Sequence, residues 1–262
     1  MSKNIIKLPK SICFRLTRYC NAQCPFCLAP FEKQNDKINL EDIKQILEIL
    51  KTAGLNNVKL SGGEPYTRKD IDEIINYCGN IKLQPVVATN GILLSDTNID
   101  ALAKNNAKVK ISLHGFEEAH NKFTNLNKYK EIVQNIKKLI NKNIFVSLHT
   151  IVNSLNVDSI NDFIKEYHDI GIKKISFMPL SERGRQLEHK NKIQGVSSND
   201  IKEKIIIWQN NFPDMDLRFL DFSRDYYVIE NDRSLWIQRS TDFNDTFICK
   251  DILSKNLSFK LL

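Results

Sequence analysis

The sequence predicts an α/β fold built around a parallel β-sheet. Apolar segments with the character of strands alternate with segments of helical apolar spacing from Ile12 to Met178. One helical segment separates each pair of neighbouring strands, and strands joined in this way run parallel with right-handed crossovers. The chain has 262 residues, 42% of them hydrophobic, which suits one large domain.

Six strands are predicted in this region, too few to close an eight-stranded barrel. Asn39, with Asp42 three residues later, is the predicted N-cap of the first helix, and Gly171 is the predicted C-cap of the last. The predicted strands cover 12–16, 57–60, 85–89, 107–113, 144–152 and 172–178, and the predicted helices cover 40–50, 70–77, 99–104, 129–140 and 157–170.

The regular alternation ends near residue 196. One further helix, to about Asn211, precedes three short strand candidates at 217–220, 226–229 and 234–237. We therefore expect a core over 1–195 and a short α+β C-terminal extension over 196–262, which packs on the open side of the core within one structural unit.

Composition excludes several classes of protein. The formal net charge is +7, but no block of five or six like charges suggests a nucleic-acid arm, so we expect no nucleic-acid partner and keep a basic cleft for an anionic substrate. No run of about 18 apolar residues predicts a membrane span. Six cysteines without an export signal indicate a reduced compartment and metal binding, so we expect a cytoplasmic protein.

Three cysteines follow the first predicted strand as a C-x3-C-x2-C run: Cys20, Cys24 and Cys27. Iron–sulfur clusters normally take four cysteines, so three thiolates would leave one iron without a protein ligand. Structural zinc needs four ligands, usually in two close pairs, and the first histidine in the chain is His114. Zinc and a disulfide are therefore the weaker alternatives.

A second motif, Ser61-Gly62-Gly63-Glu64-Pro65, ends the second predicted strand. Together with the cysteine run it resembles the radical S-adenosylmethionine (radical SAM) superfamily, and the resemblance covers residues 11 to 185. It implies an open, partial (β/α)6 barrel of the TIM type. It also implies a [4Fe-4S] cluster whose free iron is chelated by S-adenosylmethionine, and an electron donor such as flavodoxin or ferredoxin. One electron would release methionine and a 5'-deoxyadenosyl radical that takes hydrogen from the substrate.

The resemblance also implies a set of cofactor contacts at the C-terminal ends of the strands, where β/α barrels carry their reactive groups. The backbone of the glycine pair would meet the amino group of S-adenosylmethionine, and Phe26 would lie near its adenine. In isolation, the glycine pair would be a tight turn, the aromatic a core residue and each polar residue a strand-end cap. The implied contacts are Phe26, Gly62, Gly63, Glu64, Thr89, Asn90, Ser112 and Met178.

Five further residues are candidates for catalysis or substrate binding. His114 follows the fourth predicted strand, and His149 lies near the end of the fifth. For each, a role in substrate binding or proton transfer competes with that of a buried, hydrogen-bonded histidine. Arg183 and Arg185 could clamp a carboxylate or phosphate, or contact the cofactor. Cys249 is either a hydrogen-atom donor to a substrate radical or a buried apolar thiol.

The motifs G-G-E-P, T-N-G, I-S-L-H-G and a late G-R resemble the branch that holds the molybdopterin-precursor cyclase and the quinone-cofactor maturases. Only Cys249 follows Cys78, so we expect no second cluster, and the early first strand predicts no leader-peptide-binding domain. Both expected absences favour a small-molecule substrate, such as a sugar, a nucleotide or a natural-product precursor. Such a substrate would undergo epimerisation, dehydrogenation or elimination. The alternative is a peptide- or protein-modifying maturase or activating enzyme, and a minor one is a non-catalytic protein that binds cluster and S-adenosylmethionine.

Overall fold

The computed structural model describes residues 4–28, 36–181, 183–188, 193–221, 223–239 and 245–262. The strands are β1 (Asn4–Leu8), β2 (Ile12–Arg15), β3 (Asn57–Ser61), β4 (Gln84–Thr89), β5 (Lys108–Ser112), β6 (Phe145–Ile151), β7 (Lys174–Met178), β8 (Asp216–Phe219), β9 (Tyr226–Ile229), β10 (Leu235–Gln238), β11 (Thr246–Cys249) and β12 (Leu257–Leu261). The α-helices are α1 (Leu40–Thr52), α2 (Ile71–Asn80), α3 (Asp96–Lys104), α4 (Glu117–Thr124), α5 (Tyr129–Asn141), α6 (Ile160–Asp169), α7 (Arg185–Glu188) and α8 (Ser198–Asn211).

Ten strands form one sheet in the order β11-β10-β9-β2-β3-β4-β5-β6-β7-β8. Strands β2 to β8 are all parallel to their neighbours, which confirms the predicted α/β class and the six parallel strands. Within the described residues the order has two ends, β11 and β8, so the barrel is open. No helix of this described part is long and apolar enough to cross a membrane.

The chain after residue 196 extends both edges of this sheet. Helix α8 leads into β8, which pairs parallel with β7 as a seventh β/α unit. Strand β9 returns to the opposite edge, where Cys13 pairs with Val228, and β10 and β11 continue antiparallel from it. The sequence predicted β8 only as a short strand of the extension, because it has four residues and its neighbour β7 is remote in the chain. The boundary between 195 and 196 stays a prediction.

A separate two-stranded sheet pairs β1 with β12, from Asn4 opposite Leu257 to Leu8 opposite Leu261. The sequence analysis predicted neither strand. Their register brings the described N- and C-terminal segments together, and the amide of Leu261 donates a hydrogen bond to the carbonyl of Ala53.

Strands β2 to β5 of the barrel alternate in burial with the period of two that a β-strand imposes, whereas β6 and β7 contain runs of buried residues. On β3, Val58 and Leu60 are fully buried, whereas Lys59 and Ser61 between them are partly exposed. Helix α1 contributes Ile43, Ile46, Leu47 and Leu50 to the same core that holds Val58 and Leu60. The residues on the other face of the sheet line the inner side of the open barrel.

Side-chain capping fixes the start of three of the α-helices, α1, α3 and α8. The side chain of Asn39 accepts a hydrogen bond from the amide of Asp42 at 2.9 Å, which confirms the predicted N-cap of α1. Helix α3 begins three residues before the prediction, because Ser95 and Asn98 form a capping box there. Helix α4 was not predicted, and no side chain caps its first turn.

Candidate active site

Backbone hydrogen bonds join the loop after β2, which carries the three cysteines, to the loop after β3. The amide of Gly63 donates to the carbonyl of Thr17 at 2.8 Å, and the amide of Glu64 donates to the carbonyl of Tyr19 at 2.7 Å. These bonds continue the β2–β3 ladder past the ends of both strands. The cysteine run therefore begins at a position fixed by the G-G-E-P motif.

The glycine pair is required for this close approach. A Cβ atom on Gly63 would lie 2.1 Å from the carbonyl oxygen of Tyr19, and one on Gly62 would lie 2.4 Å from that of Thr17. Any side chain at either position would push the two loops apart. Besides the implied contact to S-adenosylmethionine, the pair thus has a structural role in seating the cysteine loop.

Three charged or polar residues outside the cysteine run, Asp36, Glu230 and Asn231, hold the start of its loop. Asp36 accepts hydrogen bonds from the amide of Arg18 at 2.9 Å and from the side chain of Asn231 at 2.8 Å. Glu230, directly after β9, accepts hydrogen bonds from the guanidinium groups of Arg15 and Arg18, the latter at 2.6 Å. The Glu230 side chain is only 8% exposed, so this ion-pair network lies inside the protein.

The three cysteines are free thiols, with Cys20 exposed and Cys24 and Cys27 partly buried. Burial, followed by the charges of Cys27 and Cys20, raises the pKa of Cys24 to about 12. Among the described residues no three His, Cys, Asp or Glu side chains stand close enough to hold a single metal ion. Structural zinc takes four protein ligands, whereas three thiols in one loop match a four-iron cluster that leaves one iron without a protein ligand. By the number and type of its donors, the loop fits an iron–sulfur cluster better than zinc.

A second segment reaches the far end of the cysteine run. The amide of Arg185 donates to the carbonyl of Cys27 at 2.9 Å, and a Cβ atom on Gly184 would lie 2.5 Å from the carbonyl carbon of Leu28. Arg183, predicted as a clamp for an anion, forms an ion pair with Asp245. The Nη1 atom of Arg183 is 3.0 Å from the Oδ1 atom of Asp245. The late Gly-Arg motif therefore supports the cysteine loop.

Glu64 links the loops after β3 and β4. Its carboxylate accepts hydrogen bonds from the Thr89 hydroxyl at 2.8 Å, the Asn90 amide at 2.7 Å and the Tyr66 amide at 3.1 Å. Because the group is 1% exposed, burial raises its pKa to about 7 despite these three donors. The Asn90 side chain in turn donates to the side chain of Asn21 in the cysteine loop at 2.8 Å.

Phe26 belongs to an aromatic cluster. Its ring stacks on Phe123 of α4 with centroids 4.0 Å apart, and His114 meets it edge-on at 4.9 Å. The Nδ1 atom of His114 accepts a hydrogen bond from the amide of Ile151, and burial lowers the pKa of this imidazole well below its ordinary value. His114 is therefore a neutral, buried histidine in contact with Phe26. Phe123 was missed because the helix that carries it was not predicted.

The remaining predicted residues are spread over the same edge of the sheet. Ser112 ends β5 and is partly exposed, His149 lies in β6 opposite Ser112, and Met178 is buried at the end of β7. Cys249 ends β11 and pairs with Leu235, three strands away from β2. Burial raises the pKa of the Cys249 thiol. Their predicted roles stay predictions.

Comparison with known proteins resolves the family. Residues 14–167, more than half of the chain, match the sequence profile described as the Radical SAM superfamily. The chain belongs to the radical SAM superfamily. It is therefore a radical SAM enzyme whose cofactors are a [4Fe-4S] cluster and S-adenosylmethionine.

Curated relatives of this radical SAM enzyme include GTP 3',8-cyclases. It is 31% identical over 173 residues to a probable GTP 3',8-cyclase of Saccharolobus islandicus, an alignment that covers 64% of this chain and 56% of that protein. It is 29% identical over 197 residues to the GTP 3',8-cyclase of Synechocystis sp., covering 72% and 59% respectively. The chain thus spans less than two thirds of the length of these relatives.

Solved structures confirm the partial TIM-barrel fold. SuiB of Streptococcus suis bound to S-adenosylmethionine matches with a TM-score of 0.74 at 16% identity, covering 88% of this chain and 58% of SuiB. The enzyme anSMEcpe with bound AdoMet matches with a TM-score of 0.73 at 14% identity, covering 94% and 80%. At these identities the likeness concerns the fold alone.

Proposed function

We propose that Cys20, Cys24 and Cys27 ligate the [4Fe-4S] cluster and that the enzyme abstracts a hydrogen atom from a small-molecule substrate. The observation that carries this proposal is the seating of the cysteine loop on the G-G-E-P loop, through the Gly63–Thr17 and Glu64–Tyr19 backbone hydrogen bonds. With three thiols as the whole cysteine set of that loop, one iron remains available to S-adenosylmethionine.

When bound, the two cofactors supply a 5'-deoxyadenosyl radical strong enough to take hydrogen from an unactivated carbon. The chain's own residues position these cofactors. Glu64 holds Thr89 and Asn90 at the end of β4, and Asn90 reaches the cysteine loop through Asn21. In our proposal the polar groups at these strand ends orient the amino acid part of S-adenosylmethionine, and Phe26 packs on its adenine side.

A nucleotide is the first substrate class to test. The support is the similarity to proteins named GTP 3',8-cyclase over about two thirds of this chain. A polar cavity of about 190 Å³ also adjoins the cysteine loop, lined by Arg18, Glu230, Asp232, Ser234, Trp236, Gln238 and Asp245. At this volume, below the roughly 300–1,000 Å³ of ordinary ligand pockets, the cavity has room for a polar part of a nucleotide and not for the whole molecule. A larger cavity of about 670 Å³ borders Cys20 from the side of Asp36 and Arg68, outside the barrel strands.

A peptide is the second candidate substrate, favoured by the exposed residues of an end strand of the sheet. Strand β11 ends the order of the described sheet, and its residues Thr246 and Phe247 are exposed. An exposed strand edge can pair with an extended peptide. Two of the structural neighbours, SuiB and anSMEcpe, have solved structures with a bound peptide.

The test uses anaerobically purified, cluster-loaded protein reduced with dithionite and supplied with S-adenosylmethionine. We expect 5'-deoxyadenosine from the wild type and none from Cys24→Ala. The matched control is Cys78→Ala, because Cys78 is a buried free cysteine of α2. Absence of iron in the wild type, or 5'-deoxyadenosine from Cys24→Ala at the wild-type rate, would overturn the proposal. GTP, other nucleotides and peptides are then compared by their enhancement of the rate and by deuterium transfer into 5'-deoxyadenosine.

A further inference from the structure

The inner face of the open barrel carries three lysines on alternate strands. Lys59 lies in β3, Lys110 in β5 and Lys174 at the start of β7. Each lies on the face of its strand opposite to the neighbouring buried apolar residues. Each lysine is partly buried. Lysines are rarely found inside a barrel, where apolar or neutral side chains normally fill the space.

The three side chains share one space. Lys110 interacts electrostatically with Lys59 and Lys174, and also with Cys13 of β2 and Arg218 of β8. Strands β2 and β8 are six positions apart in the sheet, so charges on both can approach a residue of β5 only through the interior of the curved sheet. His149 of β6 interacts with the same three lysines.

The positive charge in this space is only partly balanced. The ammonium group of Lys174 lies 2.9 Å from the Asp216 carboxylate, which also pairs with Arg218. Among the residues that the structure describes, no carboxylate lies within 4.0 Å of the ammonium groups of Lys59 or Lys110. Burial, followed by the charges of Lys59 and Lys174, lowers the pKa of Lys110 to about 8. An unbalanced, partly desolvated ammonium pair is destabilising unless an anion joins it.

From this arrangement we propose that the barrel interior binds an anionic group of the substrate, a phosphate or a carboxylate, between the ammonium groups of Lys59 and Lys110. The proposal rests on the proposed function, since it assigns a chemical class to the substrate of the same enzyme. The anionic group is the shared chemistry, and the experiment below separates its two sources.

The depth of the lysines orients the substrate. Lys59 lies two residues before Ser61, and Lys110 lies two residues before Ser112, the predicted cofactor contact. At about 3.3 Å per residue, the Cα atoms of both lysines are about 7 Å deeper in the barrel than the strand ends. A substrate would therefore enter with its anionic group first and leave its reacting carbon at the level of the cysteine loop.

The test measures binding of pyrophosphate and of malonate to the cluster-loaded enzyme by isothermal titration calorimetry at constant ionic strength and pH 7. The variants are Lys59→Met and Lys110→Met, which keep the length of the side chain and remove its charge. Lys137→Met, at an exposed position of α5, is the matched control. Lys110→Arg keeps the charge and shows whether loss of binding reflects charge or packing.

We expect each methionine variant to bind the preferred anion at least 10-fold more weakly, with Lys137→Met and Lys110→Arg within about 3-fold of the wild type. Tighter binding of pyrophosphate would indicate a phosphorylated substrate, and tighter binding of malonate a carboxylate. No binding by the wild type, or equal binding by wild type and both methionine variants, would overturn the inference. The same preparations are assayed for 5'-deoxyadenosine without added anion, so failure of the radical chemistry is recorded separately from failure of anion binding.

Discussion

The carboxylate of Glu64 accepts a hydrogen bond from the Thr89 hydroxyl at 2.8 Å, across two neighbouring loops of the barrel mouth. Both side chains are almost fully buried. The G-G-E-P and T-N-G motifs are therefore two halves of one structural unit. Glu64 therefore stabilises the end of β4 as well as its own turn.

Glu64→Gln should change how stability depends on pH. The folded carboxyl has a pKa of about 7, above its ordinary value of 4.5, so the folded state binds more protons than the unfolded state between these values. This group therefore makes the wild type less stable as the pH rises from about 4.5 to about 7, by up to about 3 kcal/mol. Urea unfolding at pH 5 and pH 8 should show a smaller loss for the variant. An equal loss in both proteins would contradict the assignment.

Glu230→Gln should loosen the start of the cysteine loop. The substitution leaves Arg15 and Arg18 without their buried carboxylate, and breaking a buried ion pair typically destabilises by about 3–5 kcal/mol. We expect a lower urea midpoint together with less iron bound per chain after reconstitution. Asp221→Asn, at a partly exposed surface pair with Arg224, is the control and should change neither quantity.

Gly63→Ala should prevent the cysteine loop from seating. The added Cβ atom would lie 2.1 Å from the carbonyl oxygen of Tyr19, a contact that only movement of the backbone can relieve. We expect loss of most bound iron, measured by iron content and absorbance near 400 nm, roughly a 10-fold decrease. Gly171→Asn is the control for loss of a glycine at a helix end away from the site: the φ of 104° strains any side chain, but the added Cβ atom would meet only Ile140 Cγ2 at 3.4 Å, so bound iron should stay near the wild-type level. Normal iron content in Gly63→Ala would refute the packing argument.

Lys110→Met should stabilise the protein at neutral pH and lose that advantage in alkali. The folded pKa of Lys110 is about 8, below the ordinary 10.5, so its unfavourable contribution is complete below pH 8 and disappears as the pH approaches 10.5. The variant should exceed the wild type by about 1–3 kcal/mol at pH 7 in a buffer without phosphate or carboxylate. Thermal or urea unfolding at pH 7 and pH 10 measures the difference. A constant difference would place the lysine outside the barrel interior.

The sequence was informative where function depends on residues close together in the chain. The cysteine run, the G-G-E-P turn and the Asn39 cap are each contained within eight residues, and their predicted positions relative to strands and helices agree with the structure. The alternation of strands and helices likewise predicted the six parallel strands. Such features follow from local spacing and need no knowledge of the partner segment.

The residues that hold the site together were not predictable in this way. Glu230 contacts Arg18 across 212 positions and Asn231 contacts Asp36 across 195, and no local pattern identifies such partners. The three barrel lysines do not stand out in the sequence, because lysines are spread over the whole chain. Only the curvature of the sheet shows that Lys59 and Lys110 face the same interior.

The distance in sequence between Arg18 and Glu230 has a consequence for the order of events during protein synthesis. Ribosomes make the chain from the N-terminus, so Cys20 to Cys27 emerge long before β9 exists. Until Tyr226 to Asn231 have been translated, Arg15 and Arg18 lack their carboxylate and Asp36 lacks the Asn231 amide. The nascent cysteine loop is therefore incompletely anchored. Iron and sulfide can reach the fully anchored loop only after nearly the whole chain has been translated.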